Sequence, residues 1–461
     1  MSLTSDLVER VWEIRFGDLE SDDFLAFRSL LLDHLGVAAN GSATDSALAM
    51  HRLGDRLDSD GDHPIIGTRR TADPIRAAMA NAVAAHSIEY DDVHNASSSH
   101  PGVVVFPAAI AGSQISGAGI EDFVLAVFRG YEVMCRVGRA ANPQAHYARH
   151  FHPTGTIGHF GAATAMASLL GLDVEQTVSA MGIAATMASG SMQFLLDGAW
   201  TKRFHPAHAA RDGIEAALMA EAGYKGTKDG IGGDRGFLAG YSSDPQPKEI
   251  LADWGFRPLE VRNTSIKAHT CCRYKQGPID GLIEIRRSHD IKSEDVTRMR
   301  VGILSVADEI ISSPEDLKRR PTTIVDAQFS MPYGAAVAIS RGAASLAEYD
   351  GSLFDDPEIL RLMDLTESVV DTDLDLSYPA QWRAWSEVTT KSGDVFRAEV
   401  NDPKGDPTNP MSPAENVAKF QVLTSHAYST GRREALVAAV SEIGRKTSFS
   451  QLIDLLPADL D

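Results

Sequence analysis

Four polar clusters along the sequence combine residue types that could carry acid–base chemistry. The first runs from Glu89 to Gly102 and contains carboxylates, serines and histidines, among them Asp92 and His100. So many polar groups are costly to bury unless they are paired with one another. The cluster is therefore either a solvated loop or one wall of a polar site.

The second cluster covers residues 150–156, with the sequence HFHPTGT, and leads into an alanine-rich segment. The start of a helix can bind an anion, because free backbone N–H groups and the helix dipole point towards the ligand. His152 could act as a base beside such an anion, or it could be a hydrogen-bonded core histidine. His150 and His152 could instead form half of a metal site, but no HExxH pattern follows them.

The third and fourth clusters are rich in cations. Residues 200–211, WTKRFHPAHAAR, place three cations and two histidines in a chain whose net charge is −20. The flanking apolar residues indicate that Lys202 is partly buried, and a desolvated lysine is either paired or functional. Residues 267–274, KAHTCCRY, include Lys267 and Arg273. The two adjacent cysteines of this segment are packed in a core, or one of them is a nucleophile with a histidine base within reach.

Composition narrows the classes of partner and cofactor. The charge of −20 argues against nucleic acid and anionic membranes as partners, although a local cation cluster can still bind a small anion within about 10 Å. Cys135, Cys271 and Cys272 provide neither a zinc pattern nor the spacing of an iron–sulfur site, so we expect no metal and no cofactor. No apolar run reaches about 18 residues and no signal peptide is visible, which predicts a cytoplasmic protein.

Hydrophobic periodicity predicts a mainly α fold. Residues before 250 read as a series of helices, at 24–35, 75–86, 121–139, 158–170, 174–189 and 208–222. The alternating segment 297–304 and a hairpin over 385–400 then predict strands, with helices at 329–340 and 357–370 between them. Helices return at 413–427 and 432–443. We predict a large all-helical domain, residues 1–265 plus 405–461, with an inserted smaller α+β lid domain, residues 266–404.

The four clusters, in this order, resemble the motifs of the MmgE/PrpD family. Residues 84–92, AAHSIEYDD, followed by His100-Pro101, are similar to its first motif. Residues 152–156, 198–213 and 267–273 match its successive motifs, and further similarity lies at 233–237, 329–333 and 401–405. The resemblance covers essentially the whole chain. It implies a helical domain built from both chain ends, an α+β lid, a cleft between them and a homodimer.

The resemblance also implies site residues and their roles. It assigns His152 as general base or acid with His100 as its partner, and it makes Lys202, Lys267 and Arg273 carboxylate anchors. Tyr333 would donate a hydrogen bond from the lid. The remaining predicted substrate contacts are Glu89, Asp92 and Thr154.

Members of the family include 2-methylcitrate dehydratases, cis-aconitate decarboxylases and an iminodisuccinate epimerase. All must stabilise negative charge next to a carboxylate, which preorganised cations and hydrogen-bond donors can do. Glu89, Val93 and Cys272 stand where decarboxylase-like members have aspartate, threonine and histidine. These departures weaken the cis-aconitate decarboxylase assignment and leave the substrate open, and the leading interpretation is dehydration of a 2-methylcitrate-like or citrate-like acid. A dicarboxylate epimerase, a cis-aconitate decarboxylase and a non-catalytic binding protein remain the alternatives.

Overall fold

The structure is a computed structural model that describes residues 2–58, 60–255 and 258–460. The prediction of a largely helical chain is confirmed. The helices that precede residue 250 are α1 (Leu3–Trp12), α2 (Ser21–Gly41), α3 (Asp45–Arg56), α4 (Pro74–His86), α5 (Gly102–Ser116), α6 (Ile120–Ala140), α7 (Pro143–Tyr147), α8 (Pro153–Leu169), α9 (Val174–Met187), α10 (Phe194–Asp197), α11 (Thr201–Glu221) and α12 (Phe237–Tyr241).

The four strands before residue 270 are each two residues long. The pairs are β1 (His63–Pro64) with β2 (Thr71–Ala72), and β3 (Val93–His94) with β4 (Thr264–Ser265), both antiparallel. The second pair joins the loop after α4 to the segment that carries Lys267. Two sequence clusters far apart in the chain are thereby brought side by side.

A four-stranded sheet occupies the later part of the chain. Its strands are β5 (Val296–Ile303), β6 (Thr366–Val370), β7 (Ala384–Thr390) and β8 (Val395–Val400), in the order β6-β5-β7-β8, with only the β5–β6 pair parallel. The helices around it are α13 (Gln276–Ser288), α14 (Asp308–Ile311), α15 (Glu315–Lys318), α16 (Ile324–Gln328), α17 (Met331–Arg341), α18 (Pro357–Asp364) and α19 (Thr372–Asp375). The predicted hairpin is confirmed as β7 and β8.

One predicted helix is wrong in its second half. The pattern over 357–370 favoured a single helix, but α18 ends at Asp364 and Thr366–Val370 form β6. Three of those five residues are β-branched, and their backbone pairs with β5 along its length. Tertiary pairing therefore overrides the helical spacing.

The chain ends in three helices that return to the first part. They are α20 (Pro413–Leu423), α21 (Thr430–Ser441) and α22 (Phe449–Ile453). Side chains of α20 to α22 pack in one large apolar cluster with those of α1, α2, α4 to α6, α8, α9, α11 and α12, whereas buried apolar residues between 271 and 388 form a second cluster. Among the described residues, no helix has both the length and the apolar composition needed to cross a membrane.

Small residues allow α8 and α11 to pack closely, and these two helices carry the second and third polar clusters. The two helices meet along Gly158, Ala162, Ala209 and Gly213. A Cβ on Gly213 would lie 2.6 Å from the backbone nitrogen of Ala163 and closer still to the Cβ of Ala162. The helix backbones are therefore nearly in contact, which fixes the start of α8 relative to the start of α11.

We predict that Gly213→Ala lowers the free energy of unfolding by about 1–3 kcal/mol, because the added methyl group must push the two helices apart. Gly431→Ala is the matched control. Gly431 lies in α21 with no neighbouring atom within 4 Å of an added Cβ, so the same change should leave stability unchanged or raise it by up to about 1 kcal/mol. Equal urea midpoints for the two variants would contradict this account of α8 and α11.

Candidate active site

A cleft opens between the two apolar clusters, where all four polar clusters meet. The first part of the chain contributes the loop after α4, the start of α8 and the segment from α10 to α11. The later part contributes residues 272–274 and several apolar side chains. The lining residues include Glu89, Val93, His100, His152, Phe194, Lys202, Cys272, Arg273, Ile310, Phe329 and Trp382.

His152 occupies the N-cap position of α8. Its backbone N–H donates to the carbonyl of Gly190 at 2.9 Å, and its Nδ1 lies 3.0 Å from Nδ1 of His205. Burial lowers the pKa of His152 well below its ordinary value, and the neighbouring His205 and Lys202 lower it further. The imidazole is thus neutral near pH 7 and can accept a proton.

His100 is held by a buried carboxylate that the sequence analysis did not select. Its Nδ1 lies 3.0 Å from Oδ2 of Asp91 and 2.7 Å from the carbonyl oxygen of Asp92. Burial lowers the pKa of His100 to about 4, although Asp91 acts in the opposite direction. Because Nδ1 is occupied, Nε2 is the nitrogen that His100 can offer to a ligand.

The same Asp91 oxygen lies 2.8 Å from Nδ1 of His86. Burial alone would raise the pKa of Asp91, but His100, His86 and Lys267 hold it well below its ordinary range. Asp91 therefore bridges two histidines as a carboxylate and fixes the orientation of both rings. His86 and Asp91 both lie in the 84–92 motif, but the sequence alone did not distinguish the role of Asp91 from that of Asp92.

Glu89 connects the two lysines. Lys202 Nζ contacts Glu89 Oε1 directly, and Lys267 Nζ lies 3.4 Å from the other carboxylate oxygen and 3.6 Å from Asp91 Oδ1. Burial opposes ionisation of Glu89, but the attraction of Lys202 and then Lys267 outweighs it and keeps its pKa well below the ordinary value. Lys202 faces the cleft, whereas Lys267 is fully buried behind the carboxylates.

Arg273 lines the cleft and has one guanidinium nitrogen without a hydrogen-bond partner. Its Nε donates to Asn95 Oδ1 at 3.0 Å and its Nη2 contacts Asp406, while its guanidinium lies 5.5 Å from the ring centre of Trp382. Its Nη1 is buried and has no hydrogen-bond partner. Because Arg273 lines the cleft and its guanidinium has a donor to spare, it is suited to bind a carboxylate.

The structure brings together five of the nine residues that the sequence analysis proposed for the site. Those that line the cleft are Glu89, His100, His152, Lys202 and Arg273. Two more support them from behind: Lys267 pairs with the carboxylates, and Thr154 Oγ1 accepts a hydrogen bond of 3.1 Å from the backbone nitrogen of His100.

Tyr333 and Asp92 do not reach the cleft. Tyr333 is fully buried in the second apolar cluster, where its hydroxyl donates to the carbonyl of Glu348. Asp92 accepts hydrogen bonds from the backbone of Gly102 at 3.0 Å and from the Tyr131 hydroxyl at 2.8 Å. Burial raises the pKa of Asp92 to about 8, and its hydrogen bond from Gly102 holds the start of α5.

Apolar walls complete the cleft, and sequence reasoning did not select them as site residues. Phe194, Ile310 and Trp382 line it together with Phe329, whose ring centre lies 4.9 Å from Lys202 Nζ. Phe329 belongs to a segment that the family resemblance had included. The other three carry no local signal, because an apolar residue in a cleft looks the same in sequence as one in a core.

Two groups of side chains have a geometry that could hold a metal ion. The ligand atoms of His86, His100 and His152 lie within 4.8 Å of one another, as do those of a second buried group, His159, His208 and Asp212. Only the first group borders the cleft. Three imidazoles are a donor set that zinc accepts, so the expectation of a metal-free site needs a direct test.

Comparison with known proteins gives matches along the whole chain. The family model of the MmgE/PrpD N-terminal domain matches residues 5–250, and that of the MmgE/PrpD C-terminal domain matches residues 269–443. The cis-aconitate decarboxylase-like protein oryM of Aspergillus oryzae is 27% identical, with 100% of this chain and 98% of that protein covered.

Two further relatives are named cis-aconitate decarboxylases. That of Aspergillus terreus is 24% identical, with 98% of this chain and 96% of the relative covered. That of Homo sapiens is also 24% identical, with 99% and 94% covered. Since the two family models together span most of the sequence, the chain belongs to the MmgE/PrpD family.

Proposed function

We propose that this chain is a cofactor-independent lyase for a small tricarboxylate, with decarboxylation of cis-aconitate or a close analogue as its reaction. The observation that carries the proposal is the cleft itself. A neutral histidine, His152, shares it with Lys202 and with an unpaired guanidinium nitrogen of Arg273. Relatives named cis-aconitate decarboxylases, matched over nearly their whole length, support this reaction over the dehydration that the sequence analysis favoured from the departures at Glu89, Val93 and Cys272.

The substrate carboxylates would bind to the two cations from opposite sides of the cleft. Lys202 lies at the start of α11, and Arg273 follows the β4 segment. We further propose that residues 266–404 act as an α+β lid, because they contribute Arg273, Phe329 and Trp382 to the cleft. Closure of this lid over the ligand would exclude water and strengthen both charge contacts.

The proposed reaction moves one proton and releases one carbon dioxide. The bond between the substrate and one carboxylate breaks, and its electron pair forms a new double bond. The electrons of the old double bond move to the carbon next to a remaining carboxylate, and that carbon takes a proton from His152 or His100, the ring having taken up this proton from solvent when the polyanion bound. Solvent then returns one proton to the histidine, so each turnover consumes one proton and releases one carbon dioxide.

The apolar walls favour the loss of a carboxylate over the loss of water. A carboxylate placed against Phe194, Ile310 or Trp382 is desolvated, whereas the carbon dioxide that it becomes is neutral and apolar. The apolar wall therefore destabilises the bound substrate carboxylate relative to the carbon dioxide that it becomes. The two cations meanwhile stabilise the charge that moves towards the retained carboxylates.

Dehydration of a citrate-like hydroxy acid is the second candidate. It needs a base for the proton next to a carboxylate and an acid for the departing hydroxyl group. His152 and His100 border the same cleft with ring centres 6.3 Å apart, which could provide both. The two reactions give different products from different substrates.

The first experiment incubates the protein with cis-aconitate, citrate, 2-methylcitrate and iminodisuccinate in deuterated water. We expect carbon dioxide from cis-aconitate and one deuterium next to a carboxylate in the product, with full activity after exhaustive EDTA treatment. Dehydration of a citrate, or deuterium exchange into iminodisuccinate, would replace the proposal with the corresponding alternative. Activity that EDTA abolishes and one metal restores would contradict a metal-free site. Inertness towards all four acids would indicate a binding protein.

We predict that His152→Gln lowers kcat by about 10²–10⁴-fold with a much smaller change in KM, because the role assigned to the ring is proton transfer. His51→Gln is the matched control, since His51 is also buried but lies in α3, outside the cleft. A folded His152→Gln variant with the kcat of the natural protein would remove this residue from the chemistry.

Ligand binding should take up protons. Burial keeps His100 neutral above about pH 4 in the free protein, and a polyanion placed beside it raises the pKa of the ring. The complex then binds more protons than the free protein, so affinity for the unreactive analogue tricarballylate should rise as the pH falls from about 8 to 6. Calorimetry in buffers of different ionisation enthalpy measures the uptake. A dissociation constant that does not change with pH would mean that the lysine and arginine anchors act without the histidines.

A further inference from the structure

A second polar group lies between α8 and α11, one heptad along both helices from the contact of His152 with His205. His159 follows His152 by seven residues on α8, and Asp212 follows His205 by the same interval on α11. His208 lies one turn before Asp212, and the three side chains meet where the two helices touch. We call His159, His208 and Asp212 the interhelical triad. None of its members is among the described residues that line the cleft.

Three ligand atoms of the interhelical triad converge on one point. His159 Nε2 lies 3.1 Å from Asp212 Oδ2 and 3.2 Å from His208 Nδ1. The third side of the triangle, from His208 Nδ1 to Asp212 Oδ2, is 3.6 Å. Ligand atoms that lie about 2.1 Å from a metal ion are ~3.0 Å apart at octahedral angles and ~3.4 Å apart at tetrahedral angles. The three separations are therefore close to those on one face of a coordination polyhedron around a single ion.

Hydrogen bonds alone do not account for all three contacts. Each contact needs a hydrogen atom directed between its two heavy atoms, and a neutral imidazole carries one hydrogen on one of its two nitrogens. If His159 Nε2 carries the hydrogen, one N–H serves both Asp212 and His208 and is aligned with neither. If His159 Nε2 accepts from His208 instead, its lone pair faces the carboxylate oxygen. A divalent cation would attract all three atoms at once.

The surroundings of Asp212 leave one of its oxygens available to an ion. Oδ1 accepts a hydrogen bond of 2.6 Å from Arg211 Nε, and Arg211 Nη2 lies 2.5 Å from the same oxygen, whereas Oδ2 faces the histidines. Carboxylates that bind metals are typically held by such an outer hydrogen bond. The side chains of His208 and Asp212 are 7% and 9% exposed, while that of His159 is fully buried. An ion would therefore enter from the side of His208 and Asp212.

We propose that the interhelical triad binds a borderline divalent cation such as Zn²⁺ or Co²⁺, which links α8 to α11. Two imidazoles and one carboxylate are ligands that these ions accept, and water would complete the coordination from the exposed side. The ion is structural, because it lies outside the cleft and holds the two helices whose packing positions His152. The inference does not rest on the proposed function.

The test begins with the untagged natural protein, freed of metal with EDTA and then titrated with CoCl₂ or ZnCl₂. We expect one equivalent of either ion to bind, and at 100 times the dissociation constant the melting temperature should rise by about 3 °C. An anomalous difference map from crystals grown with ZnCl₂ should show the ion between His159, His208 and Asp212. A natural protein that binds neither ion, or an ion found only beside His152, would overturn the inference.

Single substitutions separate this site from the histidines at the cleft. Asp212→Asn and His208→Gln each remove a ligand and should weaken binding by at least about tenfold, since loss of an outer-shell partner alone costs that much. His152→Gln should bind the ion as tightly as the natural protein does. His51→Gln is the matched control, because His51 is a buried histidine of α3 that belongs to neither group. Binding that is weakened by His152→Gln and unchanged in Asp212→Asn would overturn the inference.

Turnover distinguishes a structural ion from a catalytic one. Removal of the ion with EDTA should lower the melting temperature and leave kcat unchanged at temperatures well below the transition. A metal that raises kcat without a change in melting temperature would overturn the structural role. If none of the tested acids is converted, the titrations and the anomalous map still decide the inference, so its failure and that of the proposed function are separate outcomes.

Discussion

A buried network of alternating charges is the constraint on which the site depends. Glu89 and Asp91 are ionised only because Lys202, Lys267 and two histidines surround them. Removal of one partner would leave an uncompensated buried charge, which destabilises proteins strongly. The network therefore requires that the loop after α4, the start of α11 and the segment at Lys267 meet at one point.

The network reaches beyond the residues that face the cleft. Lys419 of α20 donates to the carbonyls of Tyr90 and Lys267 and pairs with Asp33 of α2 at 2.7 Å. The last part of the chain thus supports the loop that carries Glu89 and Asp91. Such a buried pair contributes little net stability, but it specifies which segments lie together. A helix that never touches the cleft is in this way part of its architecture.

Close packing of α8 against α11 fixes the positions of the site residues more precisely than the charge network alone would. Gly213 and the alanines opposite it allow α11 to lie against α8, so the N-cap histidine of one helix faces Lys202 and His205 of the other.

The sequence by itself determined the helical character of the chain, the β7–β8 hairpin and the segments from which the site is built. These features are local: capping at Asp173 and Ser412, helical periodicity and polar clusters within a dozen residues all operate over short stretches. The family resemblance extended this to His100, His152, Lys202 and Arg273, which the structure brings to one cleft.

Only the tertiary structure decided which of two neighbouring carboxylates faces the histidines. Asp91 bridges His86 and His100, whereas Asp92 turns the other way to Gly102 and Tyr131, a difference set by the direction of each side chain from the backbone. It also placed Tyr333 in a core and residues 366–370 in a strand. Each of these outcomes depends on contacts with residues far away in the chain, and a pattern of neighbouring residues does not predict such contacts.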